Sequence, residues 1–231
     1  MPAGTEGLFQ EDESGASKMT RVYFIRHGES ESNLITQFAG SLDMPLTEKG
    51  RRQAVLTADY LQDVSFSAVY ASDLARAYDT GRAVAENQGI PLVGDCRLRE
   101  IFAGEWEGET YADLERKFPD SYGVWRTQIG LARCPGGESV AELQERVRAC
   151  VEEIVRNHPG ETVCIATHAT PIRVMECVWT NTPLEQMHTI PWVSNASVTV
   201  AEYDEAGIGR QLERDLHDHL GELHTVLAKN V

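Results

Sequence analysis

Two short apolar runs, Val22 to Ile25 and Thr162 to Ala166, each surface into a histidine-bearing step: Arg26-His27-Gly28 in one, Thr167-His168-Ala169 in the other. Runs this short, with turn or polar residues beyond them, read as strands buried on both faces, and such strands need a covering layer on each side of their sheet. In open α/β sheets ligands bind beyond the carboxyl ends of the strands. Two histidines emerging there would face one crevice.

The intervening sequence alternates helical and extended patterns. Thr47 opens a segment with Ala54, Ala58 and Leu61 on one helical face, and Ser65 to Ala71 reads as a short strand. Ser72 or Asp73 is expected to cap the next helix, which carries Leu74, Ala77, Tyr78, Gly81, Val84 and Ala85 at helical spacing and stops at Gly89-Ile90-Pro91. A brief strand at Leu92 to Gly94 and two modest helices precede Pro135. Ser139 and Glu142 form a capping box for a helix through Leu143, Val147, Val151 and Ile154, ending before Pro159-Gly160. Pro171 is expected as the first residue of a further helix. Asn195 to Tyr203 and Gly209 to Leu216 read as a hairpin. This alternation predicts the α/β class, a three-layer α/β/α arrangement with a mostly parallel central sheet and an antiparallel edge.

Composition narrows the partners. With 42% apolar and 25% charged residues in 231, the chain can build a large core, and its net charge of −15 argues against nucleic-acid or anionic-membrane surfaces. Any phosphate site must be a focused pocket. The five cysteines are odd in number and lack C-x-x-C spacing, which fits reduced thiols in a cytoplasmic protein. No apolar run approaches the ~20 residues of a membrane helix, and no signal peptide is evident. Residues 1–18, rich in Gly, Ser, Glu and Asp, read as a flexible extension, native or vector-derived, ahead of a single catalytic domain over 19–231. No heptad or apolar stripe speaks to oligomeric state.

Arg26, His27 and Gly28 together offer a fixed cation, an imidazole that can be neutral at pH 7, and a close backbone approach, a set suited to phosphate. Taken alone, RHGES is equally a basic turn after a strand. Arg76 follows a third strand end and adds a bidentate cation, and the helix near Thr170 aims N–H groups at the same space. A metal held by His27, His168 and Glu100 is conceivable, but the neighbouring arginines would repel it.

Four ordered segments carry a resemblance: RHGES, YASDLARAYDTG from Tyr70, LREIFAGEWEG from Leu98, and VCIATHATPIR from Val163, with PGGES at Pro135 to Ser139. Together they resemble the histidine phosphatase superfamily, or phosphoglycerate mutase-like family, from about Thr20 onward. The resemblance implies a phosphomonoester hydrolase of small phosphorylated metabolites that needs no metal or cofactor. It implies that His27 becomes a phosphohistidine, that Glu100 is the proton donor, and that Arg26, Arg76 and His168 stabilise the transferring phosphoryl group. Asn33, Gly40 and Ala169 are implied as further phosphate contacts. Ala169 replaces the family's usual glycine, Ala39 replaces a commonly polar residue, and Ser32 stands where tryptophan is common. The alternatives are mutase-type phosphoryl transfer and a catalytically silent phospho-ligand binder. Mutases of the family resemble one another in a long basic insertion after the glutamate segment, and this chain lacks it. Trp106, Tyr111, Phe118, Tyr122 and Trp125 are either a substrate pocket or core.

Overall fold

A computed structural model describes residues 18–225. Six strands form one sheet: β1 (Thr20–Arg26), β2 (Ala68–Ala71), β3 (Leu92–Gly94), β4 (Thr162–Thr167), β5 (Val198–Tyr203) and β6 (Gly209–Leu216), in the order β3-β2-β4-β1-β5-β6. The first four are mutually parallel, while β5 pairs antiparallel with β1 and β6 antiparallel with β5. The expected mostly parallel sheet with an antiparallel edge is what forms.

The strand period of two sorts side chains between two cores. Val22, Phe24, Val163 and Ile165 point into the larger one, shared with α6 (Val140–Asn157) and α7 (Ala169–Trp179). Ile25, Val69 and Cys164 point into the smaller one, shared with α2 (Glu48–Tyr60) and α3 (Ala75–Gln88). The larger core also takes in α4 (Tyr111–Lys117) and α5 (Pro119–Thr127); α1 is a single turn, Glu31–Leu34. Along α6, Val140, Leu143, Val147, Cys150, Val151 and Ile154 are buried at helical spacing, and Ser139 with Glu142 closes the expected capping box. Truncating a fully buried leucine such as Leu143 to alanine removes about 2–5 kcal/mol.

The register of the two central strands positions the site. Arg26 is paired with Thr167, and the His27 N–H donates to the Thr167 carbonyl at 2.9 Å, so both histidines leave adjacent strands at one level. Three local expectations are corrected. β2 begins at Ala68, three residues after Ser65. Leu74, not Ser72 or Asp73, is the N-cap of α3; the N–H of Ala75 is satisfied instead by Asp43 Oδ1 at 2.7 Å, a cap supplied from a distant segment. α7 starts at Ala169 with His168 as N-cap, so Pro171 is its third residue. That position also has no intrahelical N–H partner, so proline is tolerated there. Except for Lys18, the expected N-terminal extension lies outside the described residues. Among the described residues no helix is long and apolar enough to cross a membrane.

Candidate active site

At the end of β1 the backbone passes close under α2. A Cβ on Gly28 would lie 2.5 Å from the Gly50 carbonyl oxygen, so only glycine permits this crossing. Directly before it, His27 Nδ1 is 2.7 Å from the Gly28 carbonyl oxygen. A carbonyl only accepts, so this contact fixes the proton on Nδ1 and leaves Nε2 with its lone pair and no hydrogen-bond partner among the described residues. Arg26 donates from Nη1 to the Val193 carbonyl at 2.5 Å, and its buried Nε has no partner.

Arg76 occupies the second position of α3 and is 1% exposed. Its guanidinium donates to the carbonyls of Leu42 (2.7 Å) and Gly40 (2.8 Å), so α3 and the Ala39–Leu42 turn fix one another. Gly40 adopts φ +50° to make that turn. Burial lowers both Arg26 and Arg76 to about 10, with Glu100 opposing the shift in each, so both remain cationic at neutral pH. Burial first and Arg76 next push the imidazoles of His27 and His168 well below 6.5, with Arg26 adding to both and His27 adding to His168. Both rings are therefore neutral in the free protein.

His168 is fully buried, its ring centroid 5.1 Å from that of His27. Nε2 meets Ser72 Oγ at 2.8 Å, and Nδ1 has no partner. The N-terminus of α7, expected to offer free N–H groups, is already engaged: the Thr170 N–H donates to Glu100 Oε2 at 3.2 Å. The other Glu100 oxygen accepts from the Ile101 N–H at 2.8 Å.

One cavity is lined by Arg26, His27, Asn33, Gly40, Arg76, Glu100 and Ala169. These are the sequence-predicted residues except His168, which touches the group from within the core. Asn33 binds the Ser30 N–H through Oδ1 at 2.9 Å, completing a capping box and leaving its amide nitrogen free. Neighbouring carboxylates have other duties: Glu107 ties Ser41 and Ala103, and Glu109 pairs with Lys117. Of the five aromatic residues left open above, Tyr111, Tyr122 and Trp125 line the cavity, Tyr122 and Trp125 while also being part of the core, and Trp106 and Phe118 serve the core alone.

Sequence reasoning missed Asn195, Thr80, Trp192 and the partner role of Ser72. Asn195 donates to the His27 carbonyl (3.1 Å) and to Asn33 Oδ1 (3.4 Å), and Thr80 Oγ1 accepts from the Gly28 N–H (3.1 Å). Ser72 carried a signal, a polar residue at a strand end, but it read as a cap. Asn195 read only as the start of a hairpin.

The sequence model of the histidine phosphatase superfamily, branch 1, matches residues 22–214. Phosphoserine phosphatase 1 of Hydrogenobacter thermophilus is 30% identical over 213 residues, covering 92% of this chain and all of the relative. Glucosyl-3-phosphoglycerate phosphatase of Mycobacterium tuberculosis is 32% identical over 187 residues, 78% of this chain and 83% of the relative. Among solved structures, Bacillus stearothermophilus YhfR superposes with a TM-score of 0.83 at 33% identity, covering 87% of this chain and 99% of that one.

Proposed function

The chain belongs to the histidine phosphatase superfamily, branch 1, and from that premise we propose that its phosphomonoesterase chemistry runs through His27 as nucleophile. The observation that carries this reading is the 2.7 Å contact between His27 Nδ1 and the Gly28 carbonyl, which commits one ring nitrogen and frees the other. Nε2 attacks phosphorus in line and the ester oxygen departs. Glu100, in its protonated form, transfers its proton to that oxygen and then takes one from the water that cleaves the N–P bond. Arg26 and Arg76, already ordered by carbonyl contacts, stabilise charge on the non-bridging oxygens without reorganising. Asn33, Gly40 and Ala169 border the same phosphate position, and His168, packed against the His27 ring, has its Nδ1 unpartnered to serve it.

Hydrolysis is favoured over mutase-type transfer by where the cations sit. Between Ile101 and Gly137, Arg116, Lys117, Arg126 and Arg133 are all ion-paired, with Asp113, Glu109, Glu115 and Glu142, and none lines the cavity. Nothing in that segment is placed to retain a second phosphate, so water captures the phosphoenzyme. The substrates are small phosphorylated metabolites; phosphoserine and glucosyl-3-phosphoglycerate, named in the relatives, are the first to assay. The test is p-nitrophenyl phosphate turnover together with acid-quench trapping. Wild type should yield an acid-labile phosphoenzyme and turnover, and His27→Ala neither. Equal turnover by His27→Ala would overturn the assignment, and isomerisation of 3-phosphoglycerate with catalytic bisphosphoglycerate would replace it with the mutase reading. Tight phosphate binding without turnover would indicate a silent binder.

A further inference from the structure

Residues 191–196 make one side of the active site through the backbone of Val193 and Ala196 and the side chains of Asn195 and Trp192. The Val193 carbonyl accepts from Arg26, Asn195 holds the His27 carbonyl and Asn33, and the Ala196 N–H donates to the Arg26 carbonyl at 3.0 Å. Trp192 lines the cavity. The segment has no regular secondary structure to fix it.

Charged groups fix it: besides Asp215, whose Oδ1 accepts from the Ser194 N–H at 2.6 Å, two arginines hold its start. Arg214 on β6 donates to the Pro191 carbonyl at 2.5 Å. Arg173 on α7 donates to the Met187 (3.0 Å) and Ile190 (2.6 Å) carbonyls, and its guanidinium lies 3.9 Å from the centre of the Trp192 ring. Glu176, 1% exposed and one turn of α7 on from Arg173, has Oε1 2.8 Å from Arg214 Nε but outside hydrogen-bond alignment, so charge holds that pair. Burial pushes this carboxyl up to about 7 against the pull of Arg214 and Arg173. A carboxylate buried at that cost, paired with the guanidinium that holds Pro191 and one helical turn from the guanidinium that packs on Trp192, calls for a role.

We propose that Glu176 is a positioning residue for phosphate binding: through Arg214 and Arg173 it clamps the 191–196 loop, and so sets Arg26 and the Trp192 wall. Glu176 touches no substrate. The sign of its effect separates this from simple electrostatics. If the carboxylate acted only as a charge, removing it would leave the neighbourhood more positive and tighten anion binding. The clamp requires the opposite.

The inference rests on the phosphatase reading, and the two fail separately: absence of wild-type turnover overturns that reading, whereas inorganic-phosphate binding still tests the clamp. The experiment compares wild type, Glu176→Gln, Arg214→Met and the double variant for KM, kcat, inorganic-phosphate affinity by calorimetry, and thermal unfolding. In either single variant, KM and the phosphate dissociation constant should rise by about tenfold, the scale expected when a supporting network is loosened. The double variant should be no weaker than the worse single. A purely structural role lowers the folded fraction, hence kcat, and leaves KM and phosphate affinity unmoved. That result, tighter phosphate binding, or full additivity in the double variant would overturn the proposal. If Glu176→Gln does not fold, Arg214→Met, altered at a partly exposed side chain, carries the same readout.

Discussion

His168 Nε2 and Ser72 Oγ are 2.8 Å apart, and Ser72 Oγ also accepts from the Leu74 N–H at 3.3 Å. The hydroxyl is thus free to donate to His168, which places the proton of the neutral ring on Nδ1, the atom left without a partner. A phosphate oxygen needs a donor there. Ser72→Ala should lower kcat/KM by about tenfold to a hundredfold, as losses of such orienting contacts do, with Tm changing little. Ser72→Thr, which keeps the hydroxyl, should recover most of the loss. Steady-state kinetics of both variants check this, and wild-type kcat/KM in Ser72→Ala would sink it.

Glu100 is the carboxylate that lines the cavity with His27 and both arginines, so the need for its proton should scale with the basicity of the leaving oxygen. Glu100→Gln should cost about a hundredfold or more in kcat on an alkyl phosphate and about tenfold or less on p-nitrophenyl phosphate, whose phenolate leaves unaided. Equal losses on both substrates would remove Glu100 from the role of acid.

The strands, the order of the layers and the cavity's charged residues were legible because each has a local signature: apolar runs, helical spacing, and Arg-His or Thr-His steps at strand ends. What was not legible depends on contacts between distant segments. The cap of α3 comes from Asp43, thirty-two positions from Ala75, and the Arg26 partner is a carbonyl at Val193 that carries no side-chain signal. His168 was assigned to the site, but its burial in the core followed from sheet register, which the strand sequences do not specify. Which residues of the aromatic segment between Phe102 and Trp125 reach the cavity follows from the packing of α4 and α5, since core and cavity ask for the same residue types and Tyr122 and Trp125 serve both.

The crossing of Gly28 and Gly50 sets a steric limit behind the nucleophile. A Cβ on Gly28 would meet the Gly50 carbonyl oxygen at 2.5 Å, and one on Gly50 would meet the Glu29 carbonyl oxygen at 2.0 Å, both backbone atoms that cannot step aside. Alanine at either position should destabilise the fold by about 1–3 kcal/mol, the usual cost of overpacking, and displace the Gly28 carbonyl that holds His27. Gly207→Ala serves as the control: its Cβ would meet nothing within 4 Å, although its φ of +77° adds local strain. Chemical denaturation should rank Gly50→Ala and Gly28→Ala as more damaging than Gly207→Ala; the reverse order would refute the close crossing.

Two buried neutral imidazoles link stability to pH. His27 and His168 titrate well below 6.5 in the folded state because burial and then the arginines oppose their charged forms. Above 6.5 both folded and unfolded chains carry neutral rings, and the histidines add no pH dependence. As pH falls below 6.5 the unfolded chain takes up protons that the folded one refuses, so stability is lost by up to about 1.4 kcal/mol per pH unit for each ring. Other groups titrate in this range, Glu176 with the opposite sign, so the informative quantity is the difference between proteins. His168→Gln should lose stability less steeply than wild type between about pH 6.5 and about pH 5, by about 1 kcal/mol per unit, while the two slopes coincide above about pH 7. Denaturant melts across that range measure it, and parallel slopes throughout would mean that His168 takes up protons in the fold as it does in the unfolded chain.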